Sequence, residues 1–136
     1  MPDPRKNPKY EEIKVTEVTY KYDNTITYDA SKPGGSEVVG RALTITGDDT
    51  VGLVADGGVI RGRLERVYDD GLCSVRIAGF MKLPAGTGAT LTRGSGVIGA
   101  ARGTELGYVK AAATPYAGFG FIQNSSDPDA VGVMAP

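Results

Sequence analysis

The chain has 136 residues, 15 basic and 16 acidic side chains, and a formal net charge of −1. This length suits one domain with a modest core, and the balanced charge creates no net field that would attract nucleic acid or an anionic membrane. Because the sequence has no histidine and one cysteine, it excludes an internal disulfide, an imidazole metal site and a histidine-activated nucleophile. We therefore predict no metal, no cofactor and no catalytic residue. A carboxylate-based hydrolase is the enzymatic alternative, but no pair of acids can be nominated for it.

No apolar run in the sequence approaches the roughly 20 residues that a membrane-spanning helix needs. The opening residues, MPDPRKNPKYEE, also lack the apolar stretch of a signal peptide. We therefore expect a protein that is made and acts in solution inside a cell, without a membrane partner.

The first element in chain order is an N-terminal segment, residues 1–33, which we predict to be an extended arm. All 20 glycines lie after Pro33, while three of the eight prolines lie before Tyr28. This change of composition predicts a boundary near Pro33, with a β-barrel domain over residues 34–136.

Within the arm, the stretch YEEIKVTEVTYKY has the β-branched and aromatic content of a strand. Its apolar alternation changes phase, which predicts a bulge or a break near Thr16 and Glu17. Two interpretations stay open: an arm that lies on a partner with tyrosine anchors, or a strand of the domain's own sheet. Under the first, the contacts with a partner or a neighbouring subunit would be made by Tyr10, Ile13, Val15, Val18, Tyr20 and Tyr22.

From Glu37 onward, short strands alternate with Gly or Asp-Gly turns, and no segment keeps a helical apolar period. This pattern predicts an all-β fold. In the clearest unit, Val59–Leu83, a two-residue turn at Asp70 and Gly71 would pair Asp69 with Leu72. The same register sets Glu65 opposite Arg76 and Leu64 opposite Ile77. The face predicted to form core carries Ile60, Leu64, Tyr68, Cys73, Val75, Ile77 and Met81.

The opposite face of this predicted hairpin is polar. Its three arginines could follow a phosphate backbone, but Glu65 lies among them and no aromatic residue is interleaved to stack bases. We favour a solvated face with a cross-strand ion pair, so a nucleic-acid partner is not expected. Arg66 is an exception, a charge on the apolar face. The polar face carries Arg61, Arg63, Glu65, Ser74 and Arg76.

The stretch TRGSGVIGA, Thr92–Ala100, has the G-x-G-x-x-G spacing of a dinucleotide-binding turn. The glycines at 103 and 107 disfavour the helix that must follow, and no carboxylate lies about 20 residues further on. We interpret these glycines as turns between strands. The remaining predicted strands are ATLT, GYVKAAA, GFGFIQ and AVGVM.

The middle of the chain has a characteristic order of motifs. A Gly-Arg-Ala strand precedes an acidic turn and a Val-Gly-Leu strand; then a Gly-Arg-Leu strand is joined through Asp-Gly to a Cys-Ser-Val strand. A Gly-Phe step, Leu-Pro-Ala-Gly and a glycine-rich turn follow. In this sequence the motifs are Gly40–Ala42, Asp48 and Asp49, Val51–Ala55, Gly62–Leu64, Asp70–Val75, Gly79–Phe80 and Leu83–Gly86.

This run, Val38–Ala100, resembles the small capsid decoration, or cement, proteins of tailed bacteriophages. The resemblance implies a compact β-barrel that binds the outer face of the expanded head, with the major capsid protein as partner, usually as homotrimers. It also implies a location on the virion surface after assembly in the host cytoplasm. It covers a little under half of the chain, and the arm has no counterpart that can be aligned. The alternatives are another β-barrel virion component, of the tail or the head-to-tail connection, and a nucleic-acid-binding small barrel.

Overall fold

The computed structural model describes residues 16–113 and 118–135. Over this part of the chain the predicted all-β class is confirmed, and the one helical element is a 3₁₀ turn at Pro33–Gly35. The strands are β1 (Thr16–Tyr22), β2 (Ala42–Gly47), β3 (Thr50–Leu53), β4 (Gly62–Val67), β5 (Leu72–Leu83), β6 (Val97–Arg102), β7 (Glu105–Ala111), β8 (Phe121–Asn124) and β9 (Val131–Ala135).

Seven of these strands form one sheet in the order β1-β3-β2-β4-β5-β9-β8, and β1 also pairs with β5. Strands β1 to β5 therefore pair in a cycle, although β1 and β3 share two residue pairs only. Strands β9 and β8 extend from the far half of β5, and β6 and β7 form a separate hairpin. The expected compact barrel is thus a β fold of two parts, a pairing cycle and a flank.

Strand β1 lies within the sheet. It runs antiparallel to β5 and parallel to β3. Its register shifts between Thr16 and Glu17, as the change of apolar phase predicted. Residues 16–22 are therefore a strand of the domain's own sheet, which was the second of the two interpretations. Residues 1–15 of the predicted arm lie outside the described residues.

The β4–β5 hairpin differs from the predicted register. The amide of Tyr68 donates to the carbonyl of Leu72 at 2.9 Å, so the loop has three residues, Asp69–Gly71, and not two. Gly71 has φ of 86°, the left-handed conformation that closes three-residue hairpin loops. The prediction that Asp69 pairs with Leu72 is therefore wrong.

A second shift along β4 changes which side chains face the core. The register slips between Leu64 and Arg66, so Leu64 lies opposite Val75 and not Ile77, and Arg63, not Glu65, lies opposite Arg76. Such a bulge reverses the alternation of faces beyond it.

The bulge explains how the structure accommodates Arg66, which the regular register placed on the apolar face. Beyond it Arg66 is exposed and Val67 is buried, so the charge is not on the apolar face. Tyr68, predicted to be core, is 41% exposed. Ile77 is half-buried. The other predicted core residues are buried, namely Ile60, Leu64, Cys73, Val75 and Met81.

Two clusters of buried residues fill the molecule. The ring core lies inside the pairing cycle and contains Ile26, Leu43, Val51, Leu53, Leu64, Val67, Cys73 and Val75. The flank core lies between the far half of β5 and the later strands, and contains Ala42, Val54, Ile60, Met81, Leu83, Ala85, Val97, Val109, Ile122, Val131, Val133 and Ala135. Strand β5 contributes to both and changes partner at Gly79, whose φ is 95°. There Ala78 pairs with Thr16 of β1, and Gly79 pairs with Ala135 of β9.

The flank was predicted in part. Strands β7, β8 and β9 overlap the predicted GYVKAAA, GFGFIQ and AVGVM, whereas ATLT is not a strand and β6 was missed. A dinucleotide-binding turn is followed by a helix, but here the chain forms strand β6 at that position. Gly94 has φ of 85° in a turn, as expected, but Gly99 lies inside β6 and pairs with Val109, so its interpretation as a turn was wrong.

Candidate functional surfaces

The predicted contact residues of β1 face the molecule's own interior. Val18, Tyr20 and Tyr22 are half-buried on one side of β1, and the two tyrosines pack against the ring core. The hydroxyl of Tyr22 donates to the carbonyl of Tyr68 at 3.0 Å. These contacts anchor β1 in the sheet. The other predicted contact residues, Tyr10, Ile13 and Val15, lie outside the described residues.

The charged face of the β4–β5 hairpin carries an ion-pair network centred on Glu65. One oxygen of its carboxylate lies 2.6 Å from Nη1 of Arg63 and 3.3 Å from Nε of Arg76. The second contact lacks hydrogen-bond geometry, since Arg76 Nε has no hydrogen-bond partner. The predicted cross-strand ion pair is confirmed. Two of the three arginines considered for phosphate binding are thus already neutralised, while Arg61 is exposed.

Four basic side chains from separate elements meet in a groove of about 390 Å³, here called the basic groove. Arg41 immediately precedes β2, Arg63 is on β4, and Lys82 is on β5. Arg102 ends β6, and Asp129 is the one carboxylate in the lining. The lining therefore carries four positive charges against one negative, in a chain whose net charge is −1.

The floor of the basic groove is Tyr108, which is 5% exposed. The guanidinium carbons of Arg41 and Arg102 lie 5.0 and 4.6 Å from the centre of its ring, within the range of cation–π attraction. Its hydroxyl donates to Oε2 of Glu105 at 3.0 Å. Burial, followed by this hydrogen bond, raises the pKa of Tyr108, so the ring stays a neutral platform for the two cations.

The arginines of the groove are fixed by backbone carbonyls. Arg102 Nε donates to the carbonyl of Ala85 at 2.8 Å, and its Nη2 lies 2.7 Å from Asp129. Arg63 Nε donates to the carbonyl of Lys82 at 2.7 Å. The Lys82 side chain is exposed and makes no ion pair with a described residue. The groove is therefore a set of oriented cations with one free ammonium at its side.

A glycine keeps the groove in shape. Gly107 has φ of 92°, and a Cβ there would lie 2.8 Å from Cβ of Arg41. Sequence reasoning missed this site because its members share no motif and are separated by up to 88 positions, from Arg41 to Asp129. No local signal marks them: strand pairing joins β2, β4 and β5, and packing of the separate β6–β7 hairpin against them adds Arg102 and Tyr108.

Four exposed carboxylates form a second charged region, here called the acidic end. Asp48 and Asp49 form the β2–β3 turn, while Asp69 and Asp70 belong to the β4–β5 loop. The end of β1 joins the two turns, because the amide of Lys21 donates to the Asp49 carbonyl at 2.8 Å and that of Tyr22 to the Gly71 carbonyl at 3.3 Å. None of the four carboxylates forms an ion pair with a described residue.

An apolar groove of about 530 Å³ lies on the flank. Val59 at its rim is 56% exposed, an unusually accessible position for an aliphatic side chain among other apolar residues. Strand β1 begins beside it, because Thr16 pairs with Ala78, the neighbour of Ile77 in the lining. The apolar groove is lined by Val59, Ile60, Arg61, Ile77, Ile98, Gly118, Phe119, Gly120 and Ala135.

Cys73 is buried in the ring core. Burial raises the pKa of its thiol to about 11, so the reactive thiolate is scarcely populated at neutral pH. The thiol acts as a small apolar side chain on the face that the sequence predicted to form core.

Within residues 16–113 and 118–135, no three acidic or thiol side chains lie close enough together to hold a metal ion. The same residues include no helix with the length and apolar character needed to cross a membrane. In comparisons with known proteins, the sequence matches no family model and no curated protein.

Proposed function

We propose that this protein is a phage head decoration protein, a structural virion component that binds the outer surface of the expanded capsid and stabilises it. Its partners are the major capsid protein and further copies of itself, as a homotrimer, and it is not an enzyme. The single observation that carries the proposal is the ordered run of motifs in Val38–Ala100, which resembles that family of cement proteins.

The motif glycines fit structural roles in the fold. Gly40, Gly71, Gly79 and Gly94 all have φ between 85° and 96°, a region that residues with a side chain rarely adopt. Such residues report the fold more firmly than the function. The functional part of the proposal therefore rests on the family resemblance and on a surface suited to binding another protein.

The apolar groove is the surface that best suits contact with the shell. The predicted contact residues Tyr10, Ile13 and Val15 lie in the six residues before Thr16 in the sequence, and Thr16 enters the sheet beside this groove. Burying Val59 and its neighbours against the capsid protein would supply the hydrophobic part of the affinity.

Stabilisation of the head follows from differential binding. A protein that binds the expanded shell more tightly than the immature or ruptured shell shifts the equilibrium toward the expanded form. Each bound copy contributes a small free energy by mass action, and the contributions add over many copies. No chemical step is needed.

The test is co-sedimentation of purified protein with expanded heads that lack it, with the bound copies counted per head. We expect saturation in a fixed ratio to the capsid protein and a higher rupture temperature of the heads. Val59→Glu should weaken binding. Ile45→Glu is the matched control, because Ile45 is 46% exposed and lies on β2, outside the apolar groove.

The proposal fails if the protein does not bind heads, or if the heads resist heat equally with and without it. A small fixed copy number on tails would instead assign the protein to the tail or head-to-tail connection. Binding to DNA that weakens steeply with salt would favour the nucleic-acid alternative, which the pairing of Arg63 and Arg76 with Glu65 disfavours.

A further inference from the structure

The two charged regions of this molecule are complementary and cannot reach each other within one chain. Arg63 is the second residue of β4 and Asp69 lies two residues past its end, so at about 3.3 Å per residue the two lie on the order of 20 Å apart. Arg41 and Asp48 bracket β2 in the same way. Both strands thus carry a cation of the basic groove at one end and a carboxylate of the acidic end at the other.

Each region lacks partners for some of its charges. The basic groove gathers like charges that repel one another. Arg63 pairs with Glu65 and Arg102 with Asp129, whereas Arg41 and Lys82 form no ion pair with a described residue. The carboxylates of the acidic end stand exposed on two neighbouring turns. Convex turns bearing carboxylates fit a groove lined by guanidinium groups, because arginine binds carboxylates through paired, charge-assisted hydrogen bonds.

We infer that the basic groove binds the acidic end of a second copy of this chain. The contact is heterologous, since different surfaces of the two copies meet, and repeated contacts of this kind close into a ring or extend as a chain. The inference deepens the proposed function, on whose homo-oligomer it rests, by naming the surfaces through which copies join. The second copy is favoured as occupant because one chain supplies both charges, on the same two strands.

Two single charge reversals test this contact. Lys82→Glu changes the free ammonium beside the groove, and Asp69→Lys changes an acidic side chain that makes no ion pair with a described residue. Neither position is buried, so both variants should fold, which circular dichroism would verify. Arg93→Glu, also at an exposed position, is the matched control for the change of charge.

The readout is the mass of the particles by analytical ultracentrifugation at low ionic strength. We expect the wild type and Arg93→Glu to self-associate, and the association to weaken as salt is added. Each of the other two variants should self-associate about tenfold more weakly or worse. Mixed in equal amounts, these two variants should form a heterodimer, because one intact groove and one intact acidic end remain.

A wild type that stays monomeric at low salt overturns the inference, as does a mixture of variants that forms no heterodimer. Loss of head binding by monomeric Lys82→Glu, with a wild type that is also monomeric, would assign the groove to a carboxylate of the capsid protein. Self-association that follows the expected pattern in a protein that does not bind heads would leave this inference standing and overturn the proposed function.

Discussion

The two cores of the molecule are filled in different ways. Most of the ring core is leucine, isoleucine and valine, packed inside strands that pair in a cycle. The flank core is richer in valine and alanine, and there the backbones approach closely: a Cβ at Gly86 would lie 2.6 Å from Cβ of Ala100, and one at Gly99 would collide with the carbonyl of Ala55. The ring core therefore depends on side-chain volume, and the flank core depends also on the absence of side chains.

The largest expected effect comes from removing the same side chain from each core. Leu64 in the ring core and Leu83 in the flank core are both 0% exposed. Each change to alanine should lower the free energy of unfolding by about 2–5 kcal/mol, through lost burial and the cavity left behind. Urea unfolding followed by circular dichroism measures both.

The number of unfolding transitions tests whether the two cores are independent of each other. Because β5 contributes Val75 to the ring core and Met81 to the flank core, both variants should unfold in one transition. Two separate transitions in either variant would show that the cores are independent units.

A smaller effect is expected from adding one methyl group to the flank. Gly99→Ala should cost about 1–3 kcal/mol, because strand β6 must move away from Ala55 or strain its backbone. The amide and carbonyl of Gly99 also bond the loop at Gly58 and Gly57, each at 2.8 Å. Thermal unfolding would show the loss as a lower midpoint.

Gly47→Ala is the control for this change. Gly47 has no strained φ, and a Cβ there would meet Thr50 at 3.6 Å, an ordinary contact. Its stability should change little. If the two alanine variants are equally stable, the close backbone approach in the flank is not a constraint.

The smallest effect is expected at the charged face over the ring core. Glu65→Gln leaves Arg63 and Arg76 directly opposite each other without a counter-charge, which should cost about 1 kcal/mol. Asp56→Asn removes the ion pair between Lys110 and Asp56, whose side chain is 66% exposed. This change should cost less than about 0.5 kcal/mol. Added salt should reduce the first loss; a loss that does not respond to salt would contradict its electrostatic origin.

The difference between the two cores also explains which structural features could be predicted from the sequence. Alternation along Val59–Leu83 identified five buried positions, because each strand has one apolar and one polar face. The register was missed because it depends on a three-residue loop and on a bulge beside Glu65. The signal for the bulge was present, since a charged Arg66 had no place on the apolar face of the regular register.

Strand β6 was missed because small residues give little alternation. A hairpin signal was available in Arg-Gly-Thr-Glu, where Arg102 pairs with Glu105 across Gly103 and Thr104, and Gly at the first position of a two-residue turn is favourable. The basic groove could not be predicted from such local patterns. Its residues become neighbours through strand pairing and through packing of the β6–β7 hairpin, which local patterns do not encode.

The order of strands has a consequence for aggregation. At one end of the seven-stranded sheet β1 is covered by β5, while at the other end β8 has β9 as its single strand neighbour among the described residues. Strand β8 has four residues, and its register is interrupted between Ile122 and Asn124. A short, irregular edge is a poor template for another chain's strand. The protein can therefore reach a high local concentration without amyloid-like stacking seeded at this edge.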